Sequence, residues 1–173
     1  PAYHASEPCR GCWKGEGGGL LLARASHQRV LLTWLCGVPN EVTALCEFGA
    51  ERAIQVENDV TLHIRWPGGA TGQFIASSRE FPGTNRLELS GSKGQLILEN
   101  DRLFTLRRLA QDERDFARAT TGHFGPIPFT EEQWTAPEEP NEVQQAGIVA
   151  DFLAAVEDHR APLCPVTDAL ESL

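Results

Sequence analysis

The hydrophobic pattern of the chain changes its period after residue 40. Between residues 20 and 35, apolar side chains recur at three- and four-residue steps, which predicts an amphipathic helix. Gly37 and Pro39 follow the last apolar position, and both are typical of a helix end. The preceding residues 1–19 are rich in Gly, Pro, Cys and charge, and predict a loop. The predicted inner face of the helix comprises Leu20, Ala23, His27, Leu31, Trp34 and Leu35.

Beyond this helix the pattern is that of β-strands. Residues 59–66 alternate strictly between apolar and polar side chains, as a half-buried strand does. Tight turns separate the strands that follow, and such short connections join antiparallel neighbours, so the sequence predicts a meander. The apolar face of 59–66 comprises Val60, Leu62, Ile64 and Trp66, and the polar face comprises Thr61, His63 and Arg65. The other predicted strands are 41–48, 70–77, 86–90, 95–99 and 102–107.

The last third of the chain begins with an acidic, Pro-rich segment. We expect residues 110–141 to run along the surface. Asn141 can cap a helix, and residues 167–173 have the pattern of a further helix opening. Helix, strands and helix in that order predict an α+β fold rather than alternating β/α units. The predicted inner face after Asn141 comprises Val143, Ala146, Ala150, Leu153 and either Val156 or Glu157.

Length and composition limit the possible classes of protein. A chain of 173 residues fits one domain, and a hydrophobic fraction of 41% is ordinary for a globular protein. The formal net charge of −9 disfavours binding to nucleic acid and to anionic membranes. No apolar stretch approaches the roughly 20 residues of a membrane span, and no signal peptide is recognisable. The chain starts at Pro1 and contains no Met, so we expect it to be either part of a longer protein or a processed chain.

Two short motifs suggest chemistry that their context does not support. Cys9 and Cys12 form a C-x-x-C pair, but no second pair supplies further zinc ligands, so we predict no metal site. An odd total of 5 Cys fits free thiols in a reducing, cytoplasmic compartment. The glycine run at 15–19 fails the G-x-G-x-x-G spacing and follows no strand. It predicts instead a close backbone approach at a helix N-terminus, either to a neighbouring element or to a ligand.

His27 stands out among the titratable residues, because it lies within the apolar stripe of the predicted helix. A histidine in such a place is commonly a hydrogen-bonded core residue, and this interpretation remains open. A neutral imidazole can also act as a general base near neutral pH. His63 on the polar strand face and His123 and His159 near loops suggest no site, and no G-x-S-x-G nucleophile elbow is present.

Several blocks of the sequence together point to one family. Residues 13–39 contain the glycine run, Ser26-His27 and a helix end with Trp34 and Gly37. With further agreement elsewhere, the chain resembles the C-terminal domain of the glucose–fructose oxidoreductase / inositol dehydrogenase / MocA family. The further blocks lie at 41–44, 56–59, 68–72, 82–88, 148–153 and 162–163. The segment from about residue 108 to residue 141 has no counterpart in this resemblance.

The resemblance implies an α+β fold with an open-faced, mostly antiparallel sheet and helices packed on one face. Members of the family oxidise or reduce a sugar, cyclitol or related polyol by hydride transfer, with NAD or NADP bound by an N-terminal Rossmann domain. Residues 1–173 would then be the single substrate-binding domain, truncated in its final helix, and the Rossmann domain would lie outside the chain. We therefore expect the chain alone neither to bind the nucleotide well nor to turn over.

The resemblance also implies a set of site residues. His27 matches the histidine that transfers a proton in the family. Ala23 stands where Asp or Asn is expected on the same helix face, and Val30 stands where a later Asp is usual. Arg24 replaces a common Gln and would contact the substrate. The further residues that border the substrate pocket by this resemblance are Tyr3, Arg10, Trp13 and Lys14.

Two functions remain open at this point. The first is the substrate-binding and oligomerisation domain of an NAD(P)-dependent sugar or polyol oxidoreductase, which forms a homo-oligomer through its sheet face. The alternative is a non-catalytic relative, or an isolated module whose sheet face only mediates association. Ala23 and Val30 motivate this alternative, because they remove polar groups from the expected site.

Overall fold

The chain folds into helices and antiparallel β-sheets, which confirms the predicted α+β class. It divides into two compact units, one formed by residues 1–80 with 149–173 and the other by residues 81–148. The structure is a computed structural model, and the residues it describes are 11–49, 54–122, 125–138 and 145–171.

The first unit begins with short helices and a three-stranded sheet. Its first helices are α1 (Trp13–Glu16), α2 (Leu20–Ala23) and α3 (Ser26–Cys36). The strands are β1 (Glu41–Phe48), β2 (Glu57–Arg65) and β3 (Thr71–Ser77). They lie in the order β1-β2-β3, and each is antiparallel to its neighbour, as the sequence predicts. The predicted loop over 1–19 is wrong at its end, where α1 forms.

The predicted helix over 20–35 is interrupted between α2 and α3. The backbone N–H groups of Arg24 and Ala25 both donate to the carbonyl of Leu20, at 3.0 and 2.9 Å, so the last turn of α2 is widened. Ala25 is buried at this junction. Apolar residues at three- and four-residue steps do not predict a widened turn of this kind. Side chains on opposite sides of the junction therefore do not share one continuous helix face.

The core of the first unit lies on one face of β2, as the alternation predicts. Burial of a large aliphatic side chain contributes about 1.5–3 kcal/mol, so this row anchors the sheet. The buried cluster consists of Val60, Leu62, Ile64 and Trp66, with Leu21, Leu32, Cys46 and Phe74 packed against it. On the opposite face Thr61 is half-buried, and His63 and Arg65 are exposed.

Trp66 connects the sheet to the end of α3. Its indole N–H donates to the carbonyl of Gly37 at 2.9 Å. Gly37 has a φ of 79° and directly follows Cys36, so the helix ends where the sequence predicts. Gly72 leaves room for the indole, because a Cβ there would lie 3.0 Å from the ring. One side chain thus joins a helix end to the edge of the core.

The second unit contains a four-stranded sheet and a short helix. Its strands are β4 (Arg86–Gly91), β5 (Gly94–Glu99), β6 (Leu103–Leu109) and β7 (Phe129–Thr135). They lie in sequence order, and all neighbours are antiparallel. The helix α4 (Glu113–Ala119) begins after Asp112, whose carboxylate accepts a hydrogen bond from the backbone N–H of Arg114 at 2.9 Å. The turns in the sequence predict β4 to β6, whereas nothing in the sequence predicts β7.

The predicted meander is wrong in one respect, because its strands form two separate sheets. Residues 110–141 also do more than follow the surface, since they include α4 and β7. Every residue of β7 is exposed, so apolar alternation gives no signal there. Glu131 instead pairs across the sheet with Arg107 of β6, at 2.7 Å.

Two helices end the described chain, α5 (Ala146–Glu157) and α6 (Val166–Glu171). α6 contacts α3 in the first unit. The predicted inner face of α5 is wrong, because Leu153 and Val156 are 56% and 58% exposed. Ala155 is the buried residue of this helix, and its small side chain permits close packing. The residue that α5 buries is therefore a small one, whereas Leu153 and Val156 are exposed.

Asp151 fixes α5 to the chain that follows it. Its carboxylate accepts from the backbone N–H of Leu163 at 2.7 Å and from the guanidinium of Arg160 at 2.8 Å. The hydrogen bond from Leu163, followed by the one from Arg160, holds the pKa of Asp151 below its ordinary value. The contacts that hold α5 to the following segment are therefore made by a single carboxylate. Asn141 and Val143, which belong to the predicted helix, lie outside the described residues.

Candidate functional site

The carboxylate of Glu57, the first residue of β2, binds the backbone at the start of α2. Both of its oxygens lie 3.0 Å from the nitrogen of Gly19, and Oε1 also accepts from the N–H of Leu21 at 3.1 Å. Glu57 is only 7% exposed. Hydrogen bonds from several N–H groups stabilise a carboxylate that is removed from water. These contacts fix the first turn of α2 to the sheet.

Gly19 leaves no space for a side chain at this contact. A Cβ would overlap the backbone oxygen of Glu57 and would lie 2.7 Å from its Oε2. The close backbone approach predicted for the glycine run is therefore confirmed. The element it approaches is β2, which decides between the two interpretations left open by the sequence.

A small cavity of about 30 Å³ lies beside this contact. A cavity of this size admits one or two water-sized groups. Asn58 is 2% exposed, and neither its Oδ1 nor its Nδ2 has a hydrogen-bond partner among the described residues. The cavity thus combines a concave surface with an unpaired, buried carboxamide. It is lined by Glu16, Gly19, Leu20, Ala23, Arg24, Ile54, Val56, Glu57, Asn58 and Ser78.

The structure brings part of the predicted site to this cavity. Arg24 and Ala23 both line it, and both are exposed. His27 lies in the first turn of α3, where it is exposed and accessible to a ligand, but it does not line the cavity. The expectation that Ala23 and His27 share one helix face is wrong, because the widened turn separates α2 from α3.

The residues predicted to border the pocket are placed only in part. Trp13 and Lys14 belong to α1 and are both exposed. The Trp13 ring packs against Phe48 of β1, with centroids 6.4 Å apart and planes tilted by 39°. Neither Trp13 nor Lys14 lines the cavity. Tyr3 and Arg10 lie outside the described residues, so their role stays a prediction.

Glu57 and Asn58 are the residues of this site that the sequence analysis does not assign. Both directly precede the predicted strand 59–66, and β2 begins earlier than predicted, at Glu57. The available signal is their position, since two polar residues at the start of a strand that is otherwise buried need partners. Glu57 finds them at the start of α2, whereas the Asn58 side chain has none within the part of the chain that the structure describes. Sequence alone does not supply the identity of those backbone groups.

The described residues give no evidence of a metal centre. Among them, no group of three or more His, Cys, Asp or Glu side chains is arranged to hold a metal ion. Cys9 lies outside the described residues, so the C-x-x-C pair that it forms with Cys12 stays untested. Within the same part of the chain, no helix has the length and apolar character needed to cross a membrane.

Comparison with known families gives a match over the first part of the chain. A family model described as the GFO/IDH/MocA C-terminal domain matches residues 2–97, which is more than half of the 173 residues. Among curated proteins, none matches the chain.

Solved structures match nearly the whole chain. The WlbA dehydrogenase from Bordetella pertussis, in complex with NADH and UDP-GlcNAcA, is 20% identical with a TM-score of 0.69, over 98% of this chain and 44% of that one. A levoglucosan dehydrogenase in complex with NADH and levoglucosan is 16% identical with a TM-score of 0.69, over 94% and 48%. The aldose–aldose oxidoreductase from Caulobacter crescentus, complexed with glycerol, is 20% identical with a TM-score of 0.64, over 92% and 44%. At such low identities, these structural likenesses show the fold alone, and the chain spans less than half the length of each structure.

Proposed function

Because this chain belongs to the GFO/IDH/MocA C-terminal domain family, we propose that it is the substrate-binding domain of an NAD- or NADP-dependent oxidoreductase. The substrate class is a sugar, cyclitol or related polyol. The observation that carries this proposal is the likeness over nearly the whole chain to dehydrogenases whose structures contain NADH together with a sugar. The Rossmann domain is then a part of the full-length protein outside residues 1–173.

His27 is the proposed proton-transfer residue. Its side chain is exposed in the first turn of α3, so a ligand can reach it from solvent. Oxidation of a hydroxyl group to a carbonyl releases a proton from the oxygen, and a neutral imidazole accepts such a proton near neutral pH. In the direction of reduction, the imidazolium returns the proton to the carbonyl oxygen.

The remaining predicted site residues are proposed to bind the substrate. Arg24 lines the cavity and is exposed, so its guanidinium lies where a substrate can approach. A guanidinium donates several hydrogen bonds in one plane, which suits the hydroxyl and acidic groups of sugar derivatives. The proposed border of the pocket comprises Tyr3, Arg10, Trp13 and Lys14.

The glycine run does not fit the phosphates of NAD(P). A phosphate at a helix N-terminus needs free backbone N–H groups. Those of Gly19 and Leu21 already donate to Glu57, whose carboxylate would repel a phosphate. We therefore propose that NAD or NADP is held mainly by residues outside this chain, which also decide between the two nucleotides.

Association through the first sheet is part of the proposal. On its outer face Leu45, Thr61 and Ile75 lie opposite one another in a cross-strand row. Leu45 and Ile75 are 69% and 66% exposed, and an exposed apolar row is typical of an interaction surface. A homo-oligomer in a reducing, cytoplasmic compartment fits this row and the free thiols. The net charge of −9 favours neither nucleic acid nor membrane as a partner.

A non-catalytic relative is the second candidate. Ala23 lines the cavity and supplies no polar group at the place where the family resemblance leads one to expect Asp or Asn. Val30 likewise lacks the expected carboxylate. In this alternative the domain still folds and associates, but it does not support turnover.

The experiment uses the full-length protein and its His27→Asn variant. Each is supplied with NAD⁺ or NADP⁺ and a panel of sugars and polyols, and formation of the reduced nucleotide is followed by absorbance. We expect the wild type to turn over at least one substrate. The variant should lose turnover by about 10²–10⁴-fold, as expected for loss of a general base, while its nucleotide affinity is unchanged.

A matched control is His159→Asn, which changes an exposed histidine that follows α5 and lies outside both sheets. We expect it to turn over at the wild-type rate. Wild-type turnover in His27→Asn would remove His27 from the mechanism. A wild-type protein that binds the nucleotide but oxidises none of the panel would favour the non-catalytic relative.

A further inference from the structure

The carboxamide of Asn58 is buried beside the cavity without a partner. The residue is 2% exposed, and both Oδ1 and Nδ2 lack a hydrogen bond among the described residues. A buried polar group that stays unpaired is destabilising, and most such groups in native proteins are hydrogen-bonded. An unpaired side chain that lines a cavity therefore indicates a group that enters the cavity.

The neighbouring carboxylate of Glu57 differs, because it is hydrogen-bonded. Glu57 is also buried, but its two oxygens accept hydrogen bonds from the backbone N–H groups of Gly19 and Leu21. Adjacent polar residues on the same strand thus differ, since one is bound by the protein and the other is not. The contrast assigns the unmet hydrogen-bonding capacity of the cavity to Asn58.

The cavity has the size and chemistry of a hydroxymethyl pocket. Its volume of about 30 Å³ corresponds to about two water-sized groups, which is the size of one carbon with its hydroxyl. A hydroxyl both donates and accepts, so it can bind Oδ1 and Nδ2 of one carboxamide together. The apolar walls disfavour a charged group and suit the carbon atom. These walls comprise Leu20, Ala23, Ile54 and Val56.

The mouth of the cavity lies beside residues already assigned to substrate. Ala23 and Arg24 line the cavity and are exposed, so it is accessible from the surface on which the substrate is proposed to bind. We propose that the cavity is a subsite for a hydroxymethyl group of a sugar or polyol, held by a hydrogen bond donated from Asn58 Nδ2 and one accepted at Oδ1. This inference rests on the proposed function, because it names the part of the substrate that enters this cavity.

The test follows the side-chain amide of Asn58 in the uniformly ¹⁵N-labelled full-length protein, together with the backbone N–H of Leu20, which lines the same cavity. Ethylene glycol is the probe, because it is a very small molecule that carries the hydroxymethyl group. We expect a saturable shift of the Asn58 side-chain signals and of the Leu20 backbone N–H signal. The signals of Asn40, which is exposed, should change only in proportion to the added solvent. In contrast, 1,2-dimethoxyethane has no hydroxyl to donate and should give no saturable shift.

Two variants separate the subsite from a general effect on the fold. Asn58→Leu keeps a similar shape and removes both polar atoms, so the saturable response at the backbone N–H of Leu20 should disappear. Asn40→Leu should leave that response at the wild-type value. If Asn58→Leu does not fold, the comparison of the two probes on the wild type still decides the question. No saturable shift would show that only water enters the cavity, and equal shifts with both probes would show that the hydroxyl group is not recognised. Either result would overturn the proposal.

The outcomes also separate this proposal from the proposed function. A saturable shift in a protein that oxidises none of the sugar panel would keep the subsite and remove the enzymatic role. Turnover of a sugar without a saturable shift at Asn58 would keep the enzymatic role and remove the subsite. When both are present, we expect Asn58→Leu to raise KM for a substrate that carries the hydroxymethyl group by about tenfold, with a smaller change in kcat.

Discussion

The two carboxylate oxygens of Glu57 lie at the same distance, 3.0 Å, from the backbone nitrogen of Gly19, which is 38 residues earlier in the chain. This contact joins the first residue of β2 to the start of α2. Ala23 and Arg24, at the other end of α2, line the cavity. The position of these two residues therefore depends on a buried carboxylate and on a glycine that lets the strand approach.

Replacing Gly19 by alanine tests this dependence. The added Cβ would overlap the backbone oxygen of Glu57, and a backbone atom cannot move aside as the end of a flexible side chain can. We expect Gly19→Ala to lower the free energy of unfolding by about 3 kcal/mol, at the upper end of the usual range for overpacking. Denaturant-induced unfolding of the purified protein, followed by circular dichroism, measures this change.

The control for this substitution is Gly68→Ala. Gly68 lies in the turn before β3, and a Cβ there meets no atom within 4 Å. Its substitution should change the free energy of unfolding by less than about 1 kcal/mol. An equal loss in the two variants would mean that the contact between Gly19 and Glu57 has no special role.

Trp66→Phe tests the link between the sheet and the end of α3. The variant removes the indole N–H that donates to Gly37 and leaves unfilled volume in the buried cluster. The lost hydrogen bond and the cavity together should lower the free energy of unfolding by roughly 2 kcal/mol. The matched variant Trp34→Phe changes a tryptophan that is 77% exposed, and it should be close to neutral. Equal losses in thermal unfolding experiments would contradict the assignment.

The sequence predicts the parts of the fold in which side-chain pattern and burial coincide. Val60, Leu62 and Ile64 alternate with polar residues and are buried, because one face of β2 is covered and the other is not. The same reasoning fails for α5, where Leu153 is exposed and Ala155 is buried. Periodicity identifies an apolar face but does not say which element, if any, covers it.

The candidate site is less predictable because backbone groups form much of it. The carbonyl of Leu20 accepts two hydrogen bonds at the widened turn, and no side-chain pattern in the sequence predicts them. The role of Glu57 depends on N–H groups at the start of α2, which lie far away in the sequence. Arg24 lines the cavity, and its contact with substrate stays a prediction. The buried Asn58 becomes visible as a site residue only when burial and hydrogen bonds are known.

Asp151 gives the protein a defined dependence of stability on pH. Hydrogen bonds from Leu163 and Arg160 lower the pKa of this carboxyl in the folded state. Its contribution to stability is therefore complete above the pKa of an unfolded aspartate, about 3.9, and is lost as the pH falls through the lowered pKa. We expect Asp151→Asn to reduce stability at neutral pH and to have a smaller effect below pH of about 3.

Thermal unfolding of wild type and variant across this pH range measures the effect. Glu132→Gln, which changes an exposed carboxylate on β7, is the control and should follow the wild-type curve. A loss in Asp151→Asn that stays constant at all pH values would show that the carboxylate contributes by shape and not by charge.

Ala23→Asn tests whether the missing polar group limits the proposed enzyme. Ala23 is exposed and lines the cavity, so a carboxamide can be accommodated there without displacing the core. If the new side chain donates one hydrogen bond to the substrate in the transition state, worth about 1.4 kcal/mol, kcat/KM should rise about tenfold. Ala23→Val adds similar bulk near the backbone without a polar group, so it should not raise kcat/KM. Steady-state kinetics of the full-length protein compare the variants, and an equal or lower kcat/KM in Ala23→Asn would show that alanine at this position does not limit turnover.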